Sequence, residues 1–272
     1  MEEVPMPGPA ARPPAARGRG HRPPVGEPVL DKAFRLLESF SDDEPALTLT
    51  RLSKAAGLPL STTSRLAQSL VRLGALERGA DGAYTIGLRL LERAALAPRG
   101  HGLRRTALPF MEDLHRATSQ HVLLGVRDGG EVVLTERLSA PHAGKVDYRV
   151  GGRLPLHLTG IGLVLLAHAP AEFRDAYLRV PLTDDQGRPL AARMLRRRLD
   201  GVLTAGVAHL RRVLPEPAWS VAAPIRQGGE VVAALSVVAA DGSLNPRGIE
   251  PAVVAIAHAV SRELSAGARR EA

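Results

Sequence analysis

The order of elements predicted for residues 47–87 constrains the fold more than any other feature of the sequence. Thr50 is placed as the N-cap of a short helix that Gly57 ends. Leucines at helical spacing predict a second helix, and two strand-like pieces around an Asp-Gly pair then predict a hairpin. An amphipathic helix predicted over residues 29–40 precedes them. Three helices and a hairpin in this order are typical of a winged helix-turn-helix.

The second helix of this segment has two different faces. At 100° per residue, Leu66, Leu70 and Leu73 share one arc, which is predicted to pack against the preceding helices. The opposite arc carries hydroxyl groups, an amide and two guanidinium groups, which suit phosphate oxygens and base edges in a major groove. Ser61 also suits an N-cap. Taken alone, the helix has an open alternative as an ordinary surface helix with its polar side in solvent.

The charge around this helix favours a nucleic-acid partner. From residue 50 to residue 78, five basic side chains stand against one acidic side chain, so the net charge is 5 − 1 = +4. The residues predicted to contact double-stranded DNA are Arg51, Ser61, Thr62, Ser64, Arg65, Gln68, Arg72, Arg78 and Tyr84. For Tyr84, a ring packed under the wing is an open alternative.

The second half of the chain alternates helices with paired strands. A helix is predicted over residues 103–118, and HVLLGVR and EVVLTERL form a hairpin around a glycine turn. The loop VGGRLPLHLTGIG leads into an apolar helix, and further helices are predicted over residues 171–179 and 189–205. A second strand pair, WSVAAPI and EVVAALSVVA, precedes a helix over residues 245–264. This order predicts an α+β domain with an antiparallel sheet.

Several classes of protein are excluded or disfavoured. The sequence has no cysteine, which excludes disulfides, thiolate metal sites and Cys nucleophiles. No apolar run reaches the roughly 18 residues of a membrane span, and no GxSxG, HExxH or dinucleotide-binding glycine pattern occurs. Residues 1–26, rich in Pro, Ala, Arg and Gly, are predicted to be a disordered tail and not a signal peptide. We therefore expect a cytoplasmic protein without a metal, a cofactor, membrane contact or enzymatic activity.

Motifs in both halves resemble those of the IclR family of bacterial transcription regulators. They are LTLTRLSKAAGLPLSTTSRLAQSLVRLGALERGADGAYTIGLRLLE in the first half, and DGGEVVLTERL, VGGRLPLHLTGIGLVLLA and SVAAPIRQGGEVVAALSV in the second. The resemblance covers about residues 29–264. It implies an N-terminal winged helix, a linker helix and a C-terminal profilin- or GAF-like domain that binds a small effector. It also implies dimers, often paired into tetramers, on palindromic operators.

The resemblance further implies an effector pocket around the loop that follows the sequence LPLH. The residues implied are His157, Thr159, Gly160 and Ile161, with Ser220 and Ser236 opposite and Trp219 as a possible wall. Free N–H groups at the start of the helix there would suit a carboxylate, and the serines would supply hydroxyls in an apolar cup. Other roles are open for these residues, namely a loop-fixing role for His157 and a core position for Trp219. Gly160 has the alternative of only letting the helix pack closely, and each strand serine that of bonding a neighbouring backbone group.

Together these features predict an effector-controlled, homodimeric or tetrameric transcription regulator. The predicted divisions are a tail over 1–26, a winged helix-turn-helix over 27–87, a linker helix over 88–102 and an effector-binding domain over 103–268. Effector binding is expected to change the spacing of two DNA-binding heads through the linker helix. The alternatives are a ligand-binding protein with residual enzymatic activity, and a winged-helix module that contacts protein and shows no salt-dependent DNA binding.

Overall fold

A computed structural model describes residues 27–41, 43–97, 102–140, 143, 148–213, 217–243 and 245–271. By its internal contacts the chain divides into two units between Leu91 and Glu92. The predicted tail over 1–26 and the predicted break at residues 98–100 lie outside the described residues.

Helices of the first unit form at the predicted positions, but two of them begin at other residues than expected. They are α1 (Val29–Leu37), α2 (Leu49–Ala56) and α3 (Leu60–Arg72), and α4 (Leu88–Ala94) contains the division between the units. The N-cap of α2 is Thr48, whose hydroxyl accepts a hydrogen bond from the Arg51 N–H at 3.4 Å, so the assignment of Thr50 was wrong. Gly57 ends α2 as predicted, in the left-handed conformation at φ +60°.

The third helix starts one residue before Ser61, so the prediction of Ser61 as its N-cap was also wrong. Pro59 occupies the N-cap, and the Thr63 hydroxyl donates to the Pro59 carbonyl at 3.1 Å. Leu66 and Leu70 are buried as expected, whereas Leu73 is 62% exposed because it lies beyond the last turn of the helix. The apolar arc of α3 is therefore shorter than predicted.

A three-stranded antiparallel sheet forms the wing. Its strands are β1 (Ala46–Leu47), β2 (Leu76–Arg78) and β3 (Tyr84–Ile86), in the order β1-β3-β2. The predicted turn between β2 and β3 uses Gly82 at φ +81°. At the other end of the hairpin, a Cβ on Gly87 would lie 2.3 Å from the Gly74 carbonyl oxygen. This close approach joins the wing to the end of α3.

The second unit is built on a six-stranded antiparallel sheet in the order β6-β5-β4-β11-β10-β9. Its strands are β4 (His121–Asp128), β5 (Glu131–Leu138), β6 (Arg153–Pro155), β9 (Ala208–Arg212), β10 (Ala218–Gln227) and β11 (Glu230–Ala240), while β7 (Leu182–Thr183) and β8 (Pro189–Leu190) form a separate pair. Its helices are α5 (Leu103–Thr118), α6 (Gly160–Ala167), α7 (Ala171–Arg179), α8 (Ala192–Ala205) and α9 (Pro246–Glu271). The α+β class with an antiparallel sheet is thus confirmed, although β6 and β9 had no counterpart in the prediction.

Each face of this sheet is covered by its own helices. Met111 of α5 and Val253 of α9 pack with alternate residues of the strands in one apolar cluster. On the other face, α6 is buried along its whole length, between the sheet and α8. Because successive strand residues point to opposite faces, neighbouring residues of β10 belong to different clusters. This alternation decides which side chains reach the cavity described below.

Candidate functional site

The outer face of α3 carries most of the polar side chains predicted to contact DNA. Ser61, Arg65, Gln68 and Arg72 are exposed, Thr62 and Ser64 are half-buried, and Thr63 is fully buried on the opposite face. The Gln68 amide donates to the Ser64 hydroxyl at 3.4 Å, and Arg72 Nη2 donates to the Ser69 hydroxyl at 3.1 Å. The structure brings these residues to one exposed surface, which we name the α3 outer face.

The flanking residues of the predicted set differ in their accessibility. Arg51 is exposed and forms an ion pair with Glu44. On the wing, Arg78 Nε donates to the Gly82 carbonyl at 3.4 Å, and its guanidinium lies 5.5 Å from the centroid of the Tyr84 ring.

Tyr84 itself is only 2% exposed and packs in the core of the first unit. A buried ring cannot reach a nucleic acid, so we remove Tyr84 from the DNA-contacting set and assign it to the core under the wing.

A cavity in the second unit lies where α6 begins, against the face of the sheet that α6 covers. Thr159, Gly160 and Ile161 line it from the helix side, and Ser220 and Ser236 line it from β10 and β11. With Trp219, which also borders the cavity, six of the seven predicted effector residues are therefore together in one place. The volume open to the centre of a water molecule is about 20 Å³, which holds about one water.

The first turn of α6 is fixed by a cap and by a close approach to the sheet. The Thr159 hydroxyl accepts from the Gly162 N–H at 3.0 Å. A Cβ on Gly160 would lie 2.7 Å from Ser220 Oγ and 3.2 Å from the Ala222 Cβ, so glycine allows the helix to start directly above β10. The hydroxyl of Ser220 makes no hydrogen bond to any group in the described part of the chain.

His157 does not line this cavity. Its Nδ1 lies 2.7 Å from the Tyr177 hydroxyl oxygen, and its Nε2 lies 2.9 Å from the Thr183 carbonyl oxygen. Since a carbonyl only accepts, Nε2 donates to Thr183 and Nδ1 accepts from Tyr177, which is the neutral tautomer. Burial lowers the pKa of His157, and burial raises the pKa of Tyr177 to about 12. Both shifts keep this hydrogen-bond chain neutral, so His157 fixes the loop and we remove it from the effector set.

Trp219 borders the cavity, but its ring belongs to the opposite face of the sheet. It is 4% exposed and packs in the cluster that contains Val221, Ala223 and Val253. Ser220, next in the strand, points to the cavity side together with Ala218 and Ala222. Trp219 is therefore both a residue at the border of the cavity, as predicted, and a core residue of the other face of the sheet.

Among the cavity residues that the sequence did not predict, two have polar side chains, Arg212 and Tyr148. Arg212 Nη1 donates to the Tyr148 hydroxyl at 2.6 Å, and its guanidinium lies 5.0 Å from the centroid of the Tyr148 ring. The available signal was the strand β9, in which Ala208, Leu210 and Arg212 alternate with residues of the other face. That strand was not predicted.

Metal sites and membrane-spanning helices are both absent from the described part of the chain. Within it, no group of three or more His, Cys, Asp or Glu side chains is placed to hold a metal ion. None of the described helices is both long enough and apolar enough to cross a bilayer.

The profile of the IclR helix-turn-helix domain matches residues 29–80, and that of the C-terminal domain of the bacterial transcriptional regulator IclR matches residues 96–266. The second match alone covers more than half of the chain. The chain belongs to the IclR family.

A solved structure of an IclR homolog extends this assignment to three dimensions. The homolog comes from Microbacterium hydrocarbonoxydans and was crystallised with 4-hydroxybenzoate. It is 36% identical to this chain, with a TM-score of 0.81, and the match covers 88% of this chain and 100% of that one. The fold of this IclR-family protein is thus that of a ligand-bound relative.

Curated relatives in the IclR family match over different lengths. The HTH-type transcriptional regulator KipR of Bacillus subtilis is 33% identical over 54% of this chain and 59% of its own length. Like KipR, several curated relatives are matched over little more than half of their length, from 53% to 59%. The Glycerol operon regulatory protein of Streptomyces coelicolor is 28% identical over 88% of this chain and 96% of its own length.

Proposed function

We propose that this protein is a transcription regulator that binds DNA through α3 and is controlled by a small molecule bound beside α6. The observation that carries the proposal is the α3 outer face. Leu66, Ala67 and Leu70 are buried in the winged-helix core, while the opposite side of the same helix is exposed and polar. A helix anchored in this way presents hydrogen-bond donors and acceptors to a major groove without rearrangement.

Within this proposal the contacts divide into two kinds. Ser61, Ser64, Arg65, Gln68 and Arg72 face the base edges and nearby phosphates, with Thr62 at the margin. The exposed cations Arg51 and Arg78 on the neighbouring elements contact the phosphate backbone. Two copies of α3 in a homodimer read a palindromic operator, and a tetramer would hold two such pairs. Acting on chromosomal DNA places the protein in the bacterial cytoplasm.

The second part of the proposal concerns the effector. Support comes from the cavity at Thr159, Gly160, Ile161, Ser220 and Ser236, and from the related structure that holds 4-hydroxybenzoate. A carboxylate is the first candidate for the effector's polar group. Effector binding shifts the population between arrangements that bind the operator and arrangements that do not.

The experiment is selection of bound DNA from a random pool, followed by affinity measurements over a series of salt concentrations. We expect an enriched palindromic sequence and an affinity that falls linearly with the logarithm of salt concentration. Repeating the selection with 4-hydroxybenzoate present tests control by a small molecule. A protein that enriches no sequence and shows no salt-dependent binding is a protein-interaction module instead.

A further inference from the structure

The guanidinium of Arg212 lies in the lining of the cavity with one edge engaged and the other edge empty. Nη1 donates to the Tyr148 hydroxyl at 2.6 Å. Nε and Nη2 are both buried, and neither has a hydrogen-bond partner among the described residues. Leaving buried donors of a cation without an acceptor costs free energy, so the arrangement calls for an acceptor supplied from elsewhere.

The empty edge has the geometry that binds a carboxylate. The Nε–H and Nη2–H bonds of an arginine point in parallel and match the two oxygens of a carboxyl group. This chain uses the same two atoms elsewhere. Arg188 Nε and Nη2 lie 2.8 and 2.7 Å from Asp184 Oδ2, and Arg211, next to Arg212 in β9, engages Asp241 through the same pair of atoms. In Arg212 no described group accepts a hydrogen bond from the corresponding two atoms.

The rest of the cavity lining is apolar apart from a few hydroxyl groups. Leu123, Leu154, Leu210 and Val238 surround the space between Arg212 and the start of α6. No Asp or Glu is among the described residues that line it. A neutral ligand would leave the cation unpaired, whereas a ligand with an apolar body and one carboxylate satisfies both the wall and the guanidinium.

We propose that Arg212 is the specificity-determining residue of the cavity and that it binds the carboxylate of a compact arylcarboxylate effector through Nε and Nη2. Tyr148 holds the guanidinium in place by its hydroxyl and its ring. This inference rests on the proposed effector-binding function and names the ligand class of that site. It assigns the charged end of the ligand to β9, across the cavity from the α6 helix.

Calorimetric titration of the full-length protein with three acids and their amides tests the inference. The pairs are benzoate with benzamide, 4-hydroxybenzoate with 4-hydroxybenzamide, and phenylacetate with phenylacetamide, at a pH where the acids are ionised. We expect at least one acid to bind about tenfold or more tightly than its amide, as charge-assisted bidentate bonds require. Arg212→Gln should lower the acid's affinity by about tenfold or more and remove the preference over the amide.

A matched control is provided by the neighbouring residue of the same strand. Arg211 is exposed, is paired with Asp241 and points to the other face, so Arg211→Gln should leave both affinities unchanged. Arg212→Lys keeps the charge but loses the paired donors, so its affinity for the acid should lie between those of the wild type and Arg212→Gln. The unfolding midpoints of all variants show whether they fold. If Arg212→Gln does not fold, Arg212→Lys takes its place in the test.

Three results would overturn the inference, and each is separate from a failure of the proposed function. Acid binding that is unchanged in Arg212→Gln would show that the carboxylate lies elsewhere. Equal binding of acid and amide by the wild type would show that the ligand is not held by its charge. If none of the three acids binds, arylcarboxylates are the wrong class. Selection of an operator from random DNA remains the independent measure of the regulator function in all three cases.

Discussion

Arg65 differs from the other arginine of the α3 outer face in having no partner to hold it. Within the part of the chain that the structure describes, it makes no hydrogen bond or ion pair, whereas Arg72 is bonded to Ser69. An arginine that is free before binding can place both donors on a guanine. We therefore expect Arg65→Ala to weaken operator binding by about 1–3 kcal/mol and to relax the preference at one base pair.

The measurement is operator affinity by titration, together with the affinity for operators changed at single base pairs. Arg196→Ala in the second unit is a suitable control, because Arg196 is also exposed and is paired with Asp175. Its effect on operator affinity should be within experimental error. An Arg65→Ala protein with the wild-type affinity and the wild-type base preference would remove Arg65 from the reading face.

His157 couples the stability of the second unit to pH. Burial lowers its pKa in the folded protein below the ordinary value of 6.5. The unfolded chain therefore takes up a proton at a higher pH than the folded protein does. The stabilising effect is complete above about pH 6.5 and is lost as the pH falls from there through the lowered folded pKa. Protonation would also force Nδ1 to donate where it now accepts from Tyr177.

We expect His157→Gln to lower the free energy of unfolding at pH 7 by about 1–2 kcal/mol, because two hydrogen bonds are disturbed. The loss of stability between pH 7 and pH 5 should also be smaller than in the wild type. Denaturant unfolding at several pH values measures both effects. The pKa of His168 is lowered in the same direction by burial, so His157→Gln/His168→Gln should flatten the profile further. A profile unchanged in His157→Gln would contradict the lowered pKa.

The site residues that sequence reasoning found and those that it missed differ in one physical respect. Thr159, Gly160 and Ile161 follow one another in the chain, so a local motif is enough to place them. Arg212 and Tyr148 meet across 64 positions of sequence, and only the completed sheet brings them together. For Trp219 the sequence left the pocket wall and the core as alternatives, because the face of a strand residue depends on the register of its strand.

At the scale of single elements, the assigned start of α2 can be tested by substituting two threonines. The Thr48 hydroxyl accepts from the Arg51 N–H, whereas Thr50 lies exposed within the helix. Thr48→Ala should lower the free energy of unfolding of the first unit by about 1 kcal/mol. Thr50→Ala, a change of the same size, should alter it by less than about 0.5 kcal/mol. The two unfolding curves decide the matter, and equal effects would refute the assigned start of α2.

Elements with a strong internal pattern were predictable, and elements without one were not. The hairpin of β4 and β5 and the helices α5 and α7 carry their own periodicity and turn residues, so their positions follow from local sequence. The edge strands β6 and β9 are short and are defined by pairing with a neighbour. The predicted N-caps of α2 and α3 each lay two residues after the observed ones, because a threonine or serine can cap a helix or simply lie near its start.

For the whole molecule, separate cores predict separate unfolding. The core of the first unit lies entirely within residues 36–84, and the two clusters of the second unit lie within residues 103–260. A chain with independent cores need not unfold in one two-state transition. We therefore expect two thermal transitions in calorimetry. A bound acid at about 100 times its Kd should stabilise only the second unit, by about 2.7 kcal/mol.

Operator DNA provides the control in the same calorimetric measurement. Operator DNA should raise the transition of the first unit and leave the other where it was, and Arg212→Gln should abolish the shift caused by the acid. A single transition that both ligands raise together would mean that the two units unfold as one cooperative body.

The small volume of the cavity has a consequence for how much ligand the protein needs. Because the space open to the centre of a water molecule is only about 20 Å³, we expect side chains of the wall to move apart when an arylcarboxylate binds. The measured affinity is then the affinity of the opened form multiplied by the fraction of molecules that are open. The protein can therefore make tight contacts to its ligand and still need a high ligand concentration before it responds. The ligand concentration needed for a response depends on the fraction of molecules in which the cavity is open. Substitutions in the wall that favour opening should lower this concentration without changing any contact to the ligand.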